Sequence, residues 1–308
     1  MTTTHFTFDV RGSAAAVVLA AAALAACDRS RPPPPAPEPP SSGVPAVQGE
    51  TGTIQVSGSS ALQPLVNAAK EKFEATHPGM NVEVSAGGSK KGLADVASGA
   101  VQVGDSDIFA PDDLEGQLVD HKVAVVGFAA MANKGPFDDK VPALATADLA
   151  KIFAGTVTNW KDVGGANQPI VVINRAPGSG TRAVFGNVVL GGDKFVESQT
   201  EDNSGALVAK LKQTKGAISY LALSFAGPDL QVFGLKTDAG VVEPTAQNIA
   251  SGAYPIWSYE HMYTKGPPAG VAKALLAYML SPDFQEQVLP TVKGFIPVTR
   301  MKVSRERD

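Results

Sequence analysis

An α/β fold of alternating strands and helices is the class the sequence predicts, on three observations. From Thr53 onward, short β-rich runs alternate with longer stretches of helical apolar spacing. Gly- and Ser-rich junctions recur where a strand pattern gives way to a helix pattern. The 308 residues are enough for two compact lobes. Strands alternating with helices argue for parallel α/β layers.

The first segment reads as an address. Arg11 precedes the apolar run from Gly12 to Ala26, which has signal-peptide length and ends in small residues. Leu24-Ala25-Ala26-Cys27 resembles a bacterial lipobox, in which the cysteine is diacylated and becomes the new first residue. More than one acyl chain gives stable anchoring. Residues 1–26 are therefore expected to be a lipoprotein signal peptide. Residues 27–52 follow as a Pro-rich tether, which favours polyproline II and spans about 50–60 Å at roughly 3.1 Å per residue. The folded body is then extracytoplasmic and lipid-anchored to the cell membrane, in the periplasm of a two-membrane bacterium.

In the body, Ile54–Ser57 reads as a strand. Leu62, Leu65, Val66, Ala69 and Phe73 have helical spacing, and His77-Pro78-Gly79 ends that helix. Asn81–Ser85 alternates as a strand, Gly92–Ser98 as a helix closed by Gly99, and Val101–Val103 as a third strand. Val123–Met131 is a long apolar strand buried on both faces. Leu149–Phe153 is a short helix capped by Thr146. Ile170–Ile173 is a strand, followed by a helix running from about Gly180 through Val189. A helix over Ala206–Gln213, a strand over Gly216–Tyr220, an extended crossing over Tyr254–Tyr263 and a helix over Gly270–Leu280 complete the pattern.

Charge and rare residues exclude several functions. With 26 Lys and Arg against 30 Asp and Glu, the net charge is −4, so nothing draws the chain generally to nucleic acid. Cys27 is the lone cysteine, which excludes an intrachain disulfide and a Cys-based metal site. His5, His77, His121 and His261 show no metal-ligand spacing. No cofactor is expected.

Three small-residue clusters sit between strand and helix patterns: Ser57–Leu62, Ala86–Gly92 and Gly178–Thr181. Each is consistent with ordinary helix capping. Each also offers backbone N–H groups and hydroxyls at a helix start, which favours anions. Arg175, at the end of the apolar run, adds a planar fork suited to a tetrahedral oxyanion. Asp107, in Gly104-Asp105-Ser106-Asp107, is an acceptor only. It can take a hydrogen bond from a protonated oxyanion such as phosphate, whereas sulfate keeps no proton, and selectivity follows from the penalty on the wrong ligand. Asp105 reads as a structural partner, with Arg175 one candidate. Lys90 and Lys91 read as a solvated pair, or as a means of raising the local anion concentration.

These residues together resemble the phosphate-binding proteins of bacterial phosphate ABC importers. The matching stretches are Gly58–Pro64, Gly88-Ser89, Gly104–Asp107, Arg175–Thr181, Gly216–Tyr220 and Lys293–Pro297, in order over residues 53 to 300. The resemblance implies a two-lobed type II periplasmic binding protein fold with two crossover hinge strands near Phe128–Ala132 and Tyr254–Tyr259. Lobe 1 would comprise 53–130 and 257–302, and lobe 2 would comprise 131–256. It implies inorganic phosphate held by Ser60, Ala61, Leu62, Ser89, Asp107, Arg175, Ser179, Gly180 and Thr181, delivery to ABC permease subunits, and a monomer. Several members of the family have Thr where Ala61 or Leu62 stands, so the donors of the first loop are read as Ser60 Oγ and the Ala61 and Leu62 N–H groups.

Three rivals remain. Another oxyanion, arsenate above all, keeps a proton as phosphate does, whereas Asp107 argues against sulfate, molybdate and tungstate. A receptor without a transporter would use the same fold. A serine hydrolase or phosphatase is disfavoured: Ser59-Ser60 is not a G-x-S-x-G elbow and no histidine lies near it in sequence. Gly178–Thr181 lacks the Lys of a nucleotide phosphate loop.

Overall fold

The computed structural model describes residues 50–135 and 141–306. Cys27, the signal segment and the tether up to residue 49 lie outside them.

The chain enters the sheet at β1 (Gly52–Gly58), with Ile54 and Val56 turned inward and Thr53 and Gln55 outward. α1 (Gln63–Thr76) carries Pro64 in its first turn, where its missing N–H has no helical acceptor to lose. It buries the predicted face of Leu65, Val66, Ala69 and Phe73. His77 ends it by donating its N–H to Phe73 O and stacking its ring on Phe73. β2 (Met80–Ala86) follows. α2 (Ser89–Ser98) starts three residues before the predicted Gly92, because Gly88 turns the chain with φ 86°. β3 is Val103–Ser106 rather than Val101–Val103, so Asp105 lies within a strand. Gly104 allows this packing: a Cβ there would stand 2.4 Å from Gly92 O.

β4 (Leu118–Asn133) extends beyond the predicted apolar run at both ends and is buried from Val123 to Ala132. β5 (Ala143–Ala145) and α3 (Thr146–Phe153) come next. The expected Thr146 cap is not made: Thr146 is the first helical residue and extended Ala145 holds the cap position. β6 (Val171–Arg175) leads to α4 (Gly180–Phe185), which continues as a π-turn to Leu190. β7 (Gln199–Glu201) and α5 (Ser204–Gln213) follow, with Asn203 accepting from Ala206 N as the cap. Then come β8 (Ala217–Ala222), β9 (Leu230–Val232), β10 (Gly234–Thr237), β11 (Gly240–Val242) and α6 (Ala246–Ala250). β12 (Trp257–Lys265), α7 (Gly270–Met279) and β13 (Phe295–Ile296) close the body.

The main sheet has the order β2-β1-β3-β12-β4-β8-β6-β7, with β9 and β13 also on β4. The expected parallel layers are only half the topology. β1 pairs in parallel with β2 and β3, and β6 with β7 and β8, but β12 runs antiparallel to β3 and β4, and β4 antiparallel to β8. The antiparallel strands are the ones that cross between the two parallel sets. β4 changes neighbours sharply: its partner is β12 as far as Gly127 and β8 from Phe128. Gly127 has no room for a side chain, since a Cβ would meet Ile249 Cδ1 at 2.4 Å. Phe128 N still donates to Ile256 O, so both crossing segments touch at this changeover.

Candidate anion site

In an open α/β sheet, ligands gather beyond the carboxyl ends of parallel strands, where helices begin. The turns after β1, β2, β3 and β6 meet there. Gly180, at the start of α4, packs so close to the opposite turns that a Cβ would lie 2.2 Å from Ser89 Oγ and 2.9 Å from Asp107 Cβ. Lys90 N also donates to Gly178 O across the junction at 3.1 Å. The sequence-predicted residues Ser60, Ala61, Leu62, Ser89, Asp107, Arg175, Ser179, Gly180 and Thr181 are therefore brought together, and all are buried.

Asp107 is the centre of the hydrogen bonding. Ser59 Oγ donates to its Oδ1, and Thr181 Oγ1 donates to its Oδ2 at 2.8 Å. Its N–H donates to Ser89 Oγ at 2.9 Å, and its carbonyl accepts from Ser258 Oγ at 2.6 Å. Burial raises its pKa, while Ser59, Thr181 and the charge of Arg175 pull it back; the net direction is upward.

Arg175 closes the opposite side, with 1% of its surface exposed. Nη2 donates to Ser60 Oγ at 3.0 Å, and Nη1 points to Ser204 Oγ at 3.4 Å. Nε has no partner among the described residues. Burial lowers its pKa and Asp107 opposes that shift, but a guanidinium remains charged at any ordinary pH. Behind it, Tyr220 OH accepts from Arg175 N at 3.3 Å, and burial pushes this phenol up to about 12, so it stays neutral.

Several details depart from the sequence reading. The first loop is organised by Ser59 rather than Ser60: Ser59 Oγ accepts from Ala61 N at 3.0 Å and Leu62 N at 3.2 Å. Those two N–H groups are thus engaged inside their own turn. Ser60 Oγ instead meets Ser204, accepting from Ser204 N at 3.1 Å with the two hydroxyls 3.0 Å apart. Ser179 caps α4, accepting from Arg182 N at 3.2 Å. Asp105 does not pair with Arg175; its Oδ1 lacks a partner among the described residues, and burial followed by the charge of Asp107 raises its pKa well above the ordinary value. Lys90 and Lys91 are both exposed, and Lys91 pairs with Asp95 one turn on.

Two residues escaped the sequence reading. Ser204 opens α5 within Asn203-Ser204-Gly205, a helix-start cluster like the other three. Glu260 is fully buried on β12 inside an aromatic run that reads as plain core. Beside Asp107, a cleft of about 540 Å³ is lined by Phe109, Val184, Asn187, Ser258 and Arg305, among others. Among the described residues, no group of three or more His, Cys, Asp or Glu is arranged to hold a metal ion.

This buried set of hydroxyls, one guanidinium and one hydroxyl-braced carboxylate is the candidate site for a small anion. A family model described as a PBP superfamily domain matches residues 43–283, and the chain belongs to that superfamily. The phosphate-binding protein PstS of Bacillus subtilis is 47% identical over 262 residues, covering 84% of this chain and 85% of that protein. A Clostridium perfringens structure described as a phosphate ABC transporter substrate-binding protein with bound phosphate aligns with a TM-score of 0.74 at 25% identity. It covers 80% of this chain and 100% of its own. A phosphate transport receptor from Vibrio cholerae, at 22% identity, TM-score 0.62 and coverage of 79% and 99%, shares the fold. The fold is the type II periplasmic-binding fold, and the relatives' role is substrate binding rather than catalysis.

Proposed function

We propose that this protein captures inorganic phosphate between two lobes outside the cytoplasm and hands it to the permease of an ABC importer. The observation that carries the reading is the meeting of Arg175 and Asp107 in one buried spot, with hydroxyl donors from both sides. Arg175 supplies the charge attraction, and its unpartnered Nε is a donor ready for an oxyanion. Ser60, Ser89 and Ser179, with the N–H group of Gly180, are the candidate neutral donors, while Thr181 braces Asp107 and the Ala61 and Leu62 N–H groups serve the Ser59 turn. Asp107 takes the hydrogen bond of a P–OH group. Sulfate has none to give, and its oxygens would face the carboxylate at the full desolvation and repulsion cost, which for a buried unpaired group is about 1–3 kcal/mol or more.

In this reading, 53–130 with 257–302 form one lobe and 131–256 the other. The change of partner along β4 at Gly127 and Phe128, beside Ile256, is a suitable hinge. Cys27 would carry the lipid, and residues 27–52 would hold the body off the membrane as a monomer. Isothermal titration of the purified protein with phosphate and then sulfate tests the binding claim. Tight 1:1 phosphate binding without turnover, with sulfate at least about a hundredfold weaker, is expected on a charged hydrogen-bond difference of about 3 kcal/mol. Equal affinities would reject it.

A further inference from the structure

Glu260 is 0% exposed, and neither carboxyl oxygen has a hydrogen-bond donor among the described residues. β12 pairs antiparallel with β3 through His261↔Ser106 and Met262↔Asp105, so the next step along the ladder sets Glu260 beside Asp107. The neighbour that this register gives Glu260 is the Asp107 carboxyl, buried like it and itself an acceptor. Two carboxylates cannot bond each other; an acid and a carboxylate can.

The surroundings decide which of the two keeps the proton. Asp107 receives Ser59 and Thr181 hydroxyls and lies in the field of Arg175, all of which favour its charge. From β3, Glu260 faces Asp105 and Asp107, both acidic. From β4 it faces Ala124, and the nearest cation there, Lys122, lies over the Tyr259 and Phe109 rings. On its own strand, His261 is turned to Asp120. On α2, the lysine that forms an ion pair, Lys91, is bound to Asp95. Burial and two acidic neighbours all disfavour a charge on Glu260.

Resting on the phosphate reading of the same site, we infer that Glu260 holds a proton at neutral pH and donates it as a hydrogen bond to Asp107, making Glu260 a specificity-determining residue. The pair then carries one negative charge. That charge stays on Asp107, which keeps an acceptor site for the ligand's own proton. An ionised Glu260 would place a second buried anion beside the bound one, and a missing Glu260 would make Asp107 more basic and quicker to lose its acceptor role. The sensing of ligand protonation is thus set by a proton held permanently one residue away.

Two measurements test this, on the full-length protein. Carbon-13 NMR of the side-chain carboxyls, assigned by comparison with Glu260→Gln, reads the charge of Glu260 without any ligand. The expected resonance at about pH 7 is that of a protonated carboxyl, and an ionised one overturns the inference whether or not phosphate binds. Calorimetry on Glu260→Gln reads the consequence. The amide is a weaker donor than the acid, so phosphate affinity is expected to fall by about two- to fivefold, with a smaller phosphate-to-sulfate ratio. A rise of tenfold or more would mean that the mutation had removed a buried negative charge, and would also overturn the inference. Failure of wild-type protein to bind phosphate at all would reject the phosphate reading and leave the NMR result standing on its own.

Discussion

The two sides of the site carry opposite charges. The side built from β1, β3 and β12 holds Asp105, Asp107 and Glu260, all buried. The side built from β6, α4 and α5 holds Arg175 with Ser179, Thr181 and Ser204. Neutral hydroxyls occur on both. The difference teaches that attraction and discrimination are assigned to different parts of the chain. Under the proposed function, the one guanidinium would attract any small anion, and the acidic side would admit only an anion that brings a proton. The two sides are also tied together by polar bonds, Thr181 to Asp107 and Arg175 to Ser60, so each organises the other.

Breaking the attracting side has the largest expected effect. Arg175→Ala removes the site's buried cation and its bond to Ser60, a loss of about 3 kcal/mol for the charge-assisted hydrogen bond to an anion. Phosphate affinity should fall more than a hundredfold at every pH by calorimetry. A loss seen only at low pH would contradict the assignment. Next comes the contact between the sides. Gly180→Ala inserts a methyl 2.2 Å from Ser89 Oγ, an overpacking cost of about 1–3 kcal/mol. Affinity should fall roughly ten- to hundredfold with little change in the phosphate-to-sulfate ratio, because charge is untouched. Ser204→Ala is smaller: it removes one hydroxyl from Ser60 and Arg175, about 1 kcal/mol or fivefold.

The acidic side can be read separately through stability. The folded pKa of Asp105 is raised, so its stabilising contribution is complete below its unfolded pKa of about 3.9 and is lost as pH rises through the folded value. Asp105→Asn does not titrate. The difference in Tm, variant minus wild type, should therefore be flat in acid and grow as pH rises above about 4. A difference that shrinks with pH would mean that Asp105 is stabilised as an anion. Binding has its own acid limit. Because the Asp107 pKa is raised, phosphate affinity should begin to fall at a higher pH than an ordinary Asp would set.

The attracting side was largely legible in the sequence. Arg175 at the end of an apolar run, followed by Gly178–Thr181, states its chemistry in consecutive residues, and helix starts at those clusters are local events. Asp107 was legible for the same reason. What escaped depends on distant pairing. Glu260 comes 153 residues after Asp107 along the chain, and β12 carries it to the site only because it runs antiparallel to β3. The alternation of strands and helices pointed to parallel layers and gave no sign of that crossing. Ser59 and Ser60 are adjacent and chemically identical, so the exchange of their roles is decided by which hydroxyl the β1 turn aims at Asp107. The Thr146 cap failed because a three-residue strand, too short for any period, ends immediately before it.

The discriminating role of Asp107 is tested most directly by the ratio of phosphate to sulfate affinity in Asp107→Asn against wild type, by calorimetry near pH 7. The amide can donate to either anion, so the ratio should collapse by at least about tenfold while phosphate binding itself survives. An unchanged ratio would show that the anion is selected without reference to its proton.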